Sequence, residues 1–109
     1  VLNLITILAF AMAPMPSESR TMLASWYDHG QTTASGEKFN PDGLTAAHKT
    51  LKFGTKVRIR YGSREVKVRI NDRGPFTKGR HLDLSRGAAR ALGFKDVDKV
   101  EVLSIIEPS

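Results

Sequence analysis

The chain contains no cysteine. That absence excludes disulfides, thiolate chemistry, a zinc site built on thiolates and, within these residues, a lipid-modified cysteine. It also leaves the redox compartment unread. Repeats and low-complexity tracts are lacking, and no apolar run reaches the roughly 20 residues that a membrane-crossing helix needs. Acidic residues are the minority: 17 Lys and Arg stand against 11 Asp and Glu, a formal charge of +6. A surplus of that sign favours an anionic partner, whether nucleic acid, a membrane surface or an acidic polymer, without choosing among them.

What is present, 109 residues with an apolar fraction of 40%, suffices for one domain with a modest core. Five prolines and nine glycines spread along the chain imply many turns, and hence a turn-rich β architecture more than long helices. Val1 to Ala13 (VLNLITILAFAMA) stands apart because it is nearly all apolar and gives way abruptly to PMPSESR. It reads as the apolar region of a secretory signal, with Ala-Phe-Ala or Ala-Met-Ala as the cleavage site. A core strand or a membrane anchor is the alternative. The expected organisation is a signal-like segment at 1–13, a polar linker at 14–21 and one domain at 22–109, exported and without a membrane span when mature.

Within the domain, Leu23 to Tyr27 (LASWY) suits an entering strand, whereas Asp28 to Gly43 carries loop chemistry. Long loops on a small scaffold are usually functional or disordered. Lys56 to Tyr61 (KVRIRY) and Glu65 to Asn71 (EVKVRIN) alternate strictly. Val57, Ile59, Tyr61, Val66, Val68 and Ile70 fall on one face, and the other is mostly Lys or Arg. This predicts a half-buried hairpin turning at Gly62-Ser63. HLDL at 81–84 makes a short strand. Ser85 is placed to cap a helix with Ala88, Ala89 and Leu92 on one face and Gly93 at its end. Val100 to Ile106 forms the last strand, and a small closed barrel is the natural way to hide the sheet edges.

The motifs ASWY, TASGE, LTAAH, LKFGTKV, NDRGPF and HLDLS occur in that order between Ala24 and Ser85. Together with the segment that runs on to Gly93 they closely resemble the rare lipoprotein A (RlpA)-like family. The resemblance implies a mainly β fold, a six-stranded double-psi β-barrel with one or two short helices, of the kind shared with expansins and some endoglucanases. It further implies an exported protein of the periplasm or cell wall that works on peptidoglycan glycan strands. In several members the activity is that of an endolytic lytic transglycosylase preferring glycan stripped of stem peptides. Many members have Asp at the position of Asn40, so one acidic group near the cleft is absent here.

Breaking a glycosidic bond requires an acid at the leaving oxygen, and a hydrolase normally adds a second carboxylate. A lytic transglycosylase needs only one carboxyl group, acid then base, because the muramyl C6 hydroxyl is its nucleophile. Four catalytic candidates emerge. Glu37 lies where the family pattern puts an active-site carboxyl, and is otherwise a solvated loop glutamate. Asp72 is the second, with a turn-forming aspartate as its alternative. Asp83 points away from Leu82 and Leu84 by alternation, towards a cleft or towards a structural partner such as Arg73 or Arg80. His48 matches the family's histidine, donating to the substrate, tuning a carboxyl group or satisfied structurally.

Substrate-binding candidates are Ser35, Arg73, Trp26 and Tyr27, the two aromatics being either a sugar-stacking face or part of the core or barrel rim. His29, His48 and His81 have no metal-motif spacing, so neither metal nor other cofactor is expected. Lys56, Arg58, Arg60, Lys67 and Arg69 line the outer hairpin face, which is by default a solvated one. Peptidoglycan is the expected partner, nucleic acid is not, since no binding motif for it occurs, and a monomer is expected. A non-catalytic wall binder, or a glycoside hydrolase using two of Glu37, Asp72 and Asp83, competes with the transglycosylase reading.

Overall fold

The computed structural model describes residues 20–109. The expected signal-like run, and the linker up to Ser19, lie outside the described residues. Strict alternation does what it predicts: β3 (Lys56–Tyr61) and β4 (Arg64–Asp72) form an antiparallel hairpin with Val57 opposite Val68 and Ile59 opposite Val66. Gly62 supplies the positive φ, 63°, that a two-residue hairpin turn needs at its first position. Val57, Ile59, Val68 and Ile70 are wholly buried and Val66 nearly so. Each such side chain contributes about 1.5–3 kcal/mol over an exposed one.

The other strands are β1 (Arg20–Tyr27), β2 (Thr45–His48), β5 (Leu82–Ser85) and β6 (Asp98–Ile106). They close with the hairpin into a six-stranded barrel of order β1-β5-β2-β4-β3-β6. The pairs β1–β5 and β2–β4 are parallel and the remaining four antiparallel. Closure leaves no sheet edge. This is the double-psi β-barrel the motifs imply. Ala24, Ala46, Leu82, Leu84, Val100 and Val102 fill the interior with the hairpin's apolar face. Tyr61 is only partly buried; its ring meets Phe94 edge-on at 5.0 Å and its hydroxyl donates to Asp98.

One helix occurs among the described residues, α1 (Arg86–Leu92). The Ser85 Oγ accepts from the Ala88 amide, Ala88, Ala89 and Leu92 are buried, and Gly93 ends the helix at φ 71°. The same serine donates to the Gly43 carbonyl at 2.6 Å, and the Gly87 amide donates to the Pro41 carbonyl at 2.8 Å. The helix cap thereby anchors the end of the long 28–44 loop, which enters β2. The described residues include no helix long and apolar enough to cross a membrane.

Candidate active site

Four strands contribute one residue each to a single row. Ser25 on β1 is level with Asp83 on β5, Asp83 with Ala47 on β2, and Ala47 with Asp72 on β4. Paired residues share a face, and Leu82 and Leu84 beside Asp83 point into the core, so the row faces outward. Alternation alone would send Asp72 inward, because Val66, Val68 and Ile70 all do. A register shift corrects this: Ala46 pairs with Ile70 but Ala47 with Asp72, leaving Asn71 as the extra residue of a bulge. The row floors a cleft of about 330 Å³, whose walls include Trp26, Tyr27, Arg73, Phe76 and Arg80. Neighbouring strands are about 4.8 Å apart, so the backbones of the two aspartates are separated by about 10 Å.

The two carboxyl groups have different surroundings. Asp72 is held as an acceptor on both oxygens: Oδ1 takes the Ala34 amide at 2.8 Å and the Arg73 amide at 2.9 Å, and Oδ2 takes the Tyr27 hydroxyl at 3.0 Å. It is thus the amide-bonding aspartate its turn position suggested, and it also lines the cleft. Burial, then the charge of Asp72 and the hydrogen bond to it, push the Tyr27 phenol upward, so it stays a donor. Its ring stacks on Phe39 with centroids 4.6 Å apart.

Asp83 receives one bond, from the Ser25 hydroxyl to Oδ1 at 2.9 Å. Among the described residues its Oδ2 has no hydrogen-bond partner. Burial raises its carboxyl above the ordinary aspartate value of 3.8, repulsion from Asp72 adds to the rise, and the Ser25 bond and the Arg80 charge oppose it. No ion pair joins it to Arg73 or Arg80.

Glu37 is brought to the same end of the barrel but is engaged elsewhere. It pairs with Arg69 at 3.0 Å and accepts a short hydrogen bond from Asn71, the bulge residue. These bonds hold its carboxyl below the usual range, the opposite of what a proton donor needs. His48 sits in the same strand pair as Asp83, yet its Nδ1 accepts from the Thr50 and Leu51 amides, each at 3.1 Å. Burial, then the Arg73 charge, lowers its pKa and favours the neutral ring. Neither Glu37 nor His48 is among the cleft walls.

Ser35 also lies off the cleft; its amide donates to the Asn71 carbonyl and its hydroxyl bonds to that of Thr33. Arg73 donates to the His48 carbonyl at 3.1 Å, and its guanidinium lies 4.1 Å from the Phe53 ring centre. Trp26 walls the cleft while its indole N–H donates to the Lys95 carbonyl. On the hairpin's outer face Arg58 pairs with Glu65 and Arg60 with Glu101.

Several cleft residues escaped the sequence reading. Ser25 and Ala47 sit inside the ASWY and LTAAH motifs, but only cross-strand pairing puts them beside Asp83. Phe76 stood in NDRGPF with nothing to mark it as exposed. No cluster of three or more His, Asp or Glu side chains able to hold a metal occurs among the described residues.

A sequence profile described as "Lytic transglycolase" matches residues 19–104. The probable endolytic peptidoglycan transglycosylase RlpA of Synechocystis is 59% identical over 76 residues, covering 65% of this chain and 24% of that protein. The endolytic peptidoglycan transglycosylase RlpA of Yersinia pestis is 48% identical over 89 residues, covering 77% and 25%. The chain therefore spans about a quarter of the length of these curated relatives. Among solved structures, an apo expansin from Clavibacter michiganensis superposes with a TM-score of 0.67 at 21% identity, over 84% of this chain and 52% of that one. The Streptomyces papain inhibitor does so at 0.66 and 17% identity, over 82% and 94%. At those identities the two structures share the barrel and no more. A profile match across 86 consecutive residues, on a closed double-psi barrel carrying all six motifs, is what membership requires: the chain belongs to the RlpA-like family of lytic transglycolase domains.

Proposed function

We propose that this domain is a lytic transglycosylase that cuts the β-1,4 bond between MurNAc and GlcNAc in peptide-poor peptidoglycan strands, acting as a monomer outside the cytoplasm. The observation that carries the reading is Asp83, a half-buried carboxyl on the cleft floor, raised by burial, with one oxygen fixed by Ser25 and the other unbonded. A carboxyl that keeps its proton nearer neutrality is the acid this chemistry needs. In the forward step Asp83 gives its proton to the departing GlcNAc O4 as the C1–O4 bond breaks. The muramyl C6 hydroxyl then forms its bond to C1 and returns its proton to the Asp83 carboxylate. The product end is 1,6-anhydroMurNAc, and no water is consumed. Asp72, fixed as an acceptor, supplies negative potential to the oxocarbenium-like transition state. The relatives' names, endolytic peptidoglycan transglycosylase, support the same reading.

Mass spectrometry of the products from purified peptide-free glycan tests it. Anhydro ends are expected; reducing ends would mean a hydrolase, and retained binding without cleavage would mean a binder. Asp83→Asn is expected to stay folded and lose at least about a hundredfold in turnover, whereas Glu37→Gln keeps most of it. Wild-type turnover in Asp83→Asn would remove Asp83 as the acid. The apolar run at 1–13 supports export. N-terminal sequencing of exported protein should begin after Ala11 or Ala13, and an intact Val1 on a soluble cytoplasmic form would overturn it.

A further inference from the structure

We propose that the segment joining β4 to β5 (73–81) reads one feature of the glycan, a sugar bearing a free carboxylate: Phe76 stacks on the ring and Arg80 binds the acid. This rests on the function proposed above. Phe76 is 83% exposed, more than any other large apolar side chain described, although it lines the cleft. A phenyl ring left in water gains nothing from folding, and flat apolar faces suit the C–H face of a pyranose.

Nor is Phe76 on a loose tip. At one end of the segment the Arg73 amide is bound to Asp72 and its guanidinium is stacked on Phe53 and bound to the His48 carbonyl. At the other, the Arg80 amide donates to the Thr77 carbonyl and the His81 amide to the Leu23 carbonyl. Gly74, at φ 122°, packs against the Phe76 ring, which an added Cβ would meet at 3.4 Å.

Arg80 is the complementary half. It walls the cleft near enough to Asp83 to act on its charge, yet among the described residues its guanidinium has neither an ion pair nor a hydrogen bond. Arg73, the other arginine in the cleft, is occupied. A guanidinium presents a planar fork that fits a carboxylate. A peptide-free glycan is neutral except for the lactyl carboxylate on each muramyl residue. Attaching a stem peptide turns that group into an amide and removes the charge. Arg80 thus discriminates peptide-free from peptide-bearing strands by direct recognition.

The test measures binding to the Asp83→Asn protein, so that nothing is cleaved, by the fluorescence of Trp26, the single tryptophan and a cleft wall. The probes are a GlcNAc-MurNAc tetrasaccharide with free lactyl groups, the same compound as its methylamide, and neutral chitotetraose. The free acid should bind on the order of two- to fivefold tighter than the methylamide, the scale of a partly exposed charge pair. Adding Arg80→Gln should abolish that gap and leave the neutral affinities in place. Phe76→Ala should weaken all three, and Phe76→Tyr, which keeps a flat ring and leaves Trp26 the single tryptophan, restore them. A gap that persists without Arg80, or unchanged binding in Phe76→Ala, overturns the inference. Equal binding of acid and amide does so while leaving the proposed function standing; failure of every glycan to bind sinks that function itself.

Discussion

Gly87 is the second residue of α1, where alanine would normally be the better choice by about 1 kcal/mol. The fold reverses that preference. A Cβ at position 87 would lie 2.3 Å from the Asp42 carbonyl oxygen, 2.6 Å from its carbon and 2.9 Å from the Gly43 oxygen. All three are backbone atoms, so relief requires the 41–43 segment to retreat by about 1 Å or more. That segment is tied down by the 2.8 Å bond from the Gly87 amide to Pro41 and the 2.6 Å bond from Ser85 to Gly43. Overpacking of this kind costs about 1–3 kcal/mol, and a stretched backbone hydrogen bond about 1 more. Against the helix gain, Gly87→Ala should be net destabilised by about 1–3 kcal/mol. For a domain of this size each kcal/mol shifts Tm by about 4–8 °C, so melting followed by circular dichroism should fall by roughly 10 °C. Because the segment delivers the chain into β2 beside Asp83, turnover should fall as well. A variant that melts at or above wild type would refute the clamp between α1 and the 28–44 loop.

Val68→Asp puts an unpaired charge at a wholly buried site and should cost more than about 4 kcal/mol, whereas Lys67→Asp on the exposed face should cost little; equal Tm values would contradict the register. Asp83 makes stability depend on pH in a definite direction. Its folded value is raised, so its contribution is complete below the unfolded value of about 3.8 and is lost as pH rises through the folded value. Asp83→Asn, which mimics the protonated form, should therefore melt above wild type at pH 7, with the gap closing as pH falls through the raised folded value and gone below the unfolded value of about 3.8. A lower Tm at pH 7, or a gap independent of pH, would argue against a desolvated carboxyl.

Elements with a local signature were legible in the sequence. Alternation gave the hairpin and its buried face, and the Ser85 cap with Gly93 gave the helix to the residue. β2 was not read from pattern: TAAH is short, small and without alternation, and it is a strand because β4 and β5 flank it, 20 or more residues away in sequence. The bulge at Asn71 was invisible for the same reason. It decides that Asp72 reaches the cleft, so the aspartate's relevance came from the motif and not from strand periodicity. Glu37 shows the converse. A motif can mark a residue without telling its task, and here the short bond to Asn71 and the pair with Arg69 bind the TASGE loop to the bulged strand. His48, capping the Thr50–Leu51 turn through Nδ1, fixes the exit from β2 in a similar way.

The division of labour between the two aspartates follows from what the loops supply to one and withhold from the other. Asp72 and Asp83 lie in one row, on one face, separated by the methyl group of Ala47, so strand geometry alone makes them near-equivalents. The 28–44 loop breaks the equivalence by lowering the Ala34 amide onto Asp72, and Tyr27 leans across the row to add its hydroxyl. With the Arg73 amide, three donors occupy the Asp72 carboxylate. Asp83 lost its water to the same cleft floor but received one hydroxyl, from Ser25. Burial therefore outweighs the Ser25 bond and the Arg80 charge, and the nearby Asp72 charge presses in the same direction. Ala47 keeps the floor open between them: a larger side chain there would occupy the space above the row through which, in the proposed reaction, the scissile oxygen reaches Asp83. The carboxyl we propose as the acid is thus distinguished by a missing hydrogen bond, and adding a donor within reach of Asp83 Oδ2 would lower its pKa and, on that proposal, weaken it as a proton source.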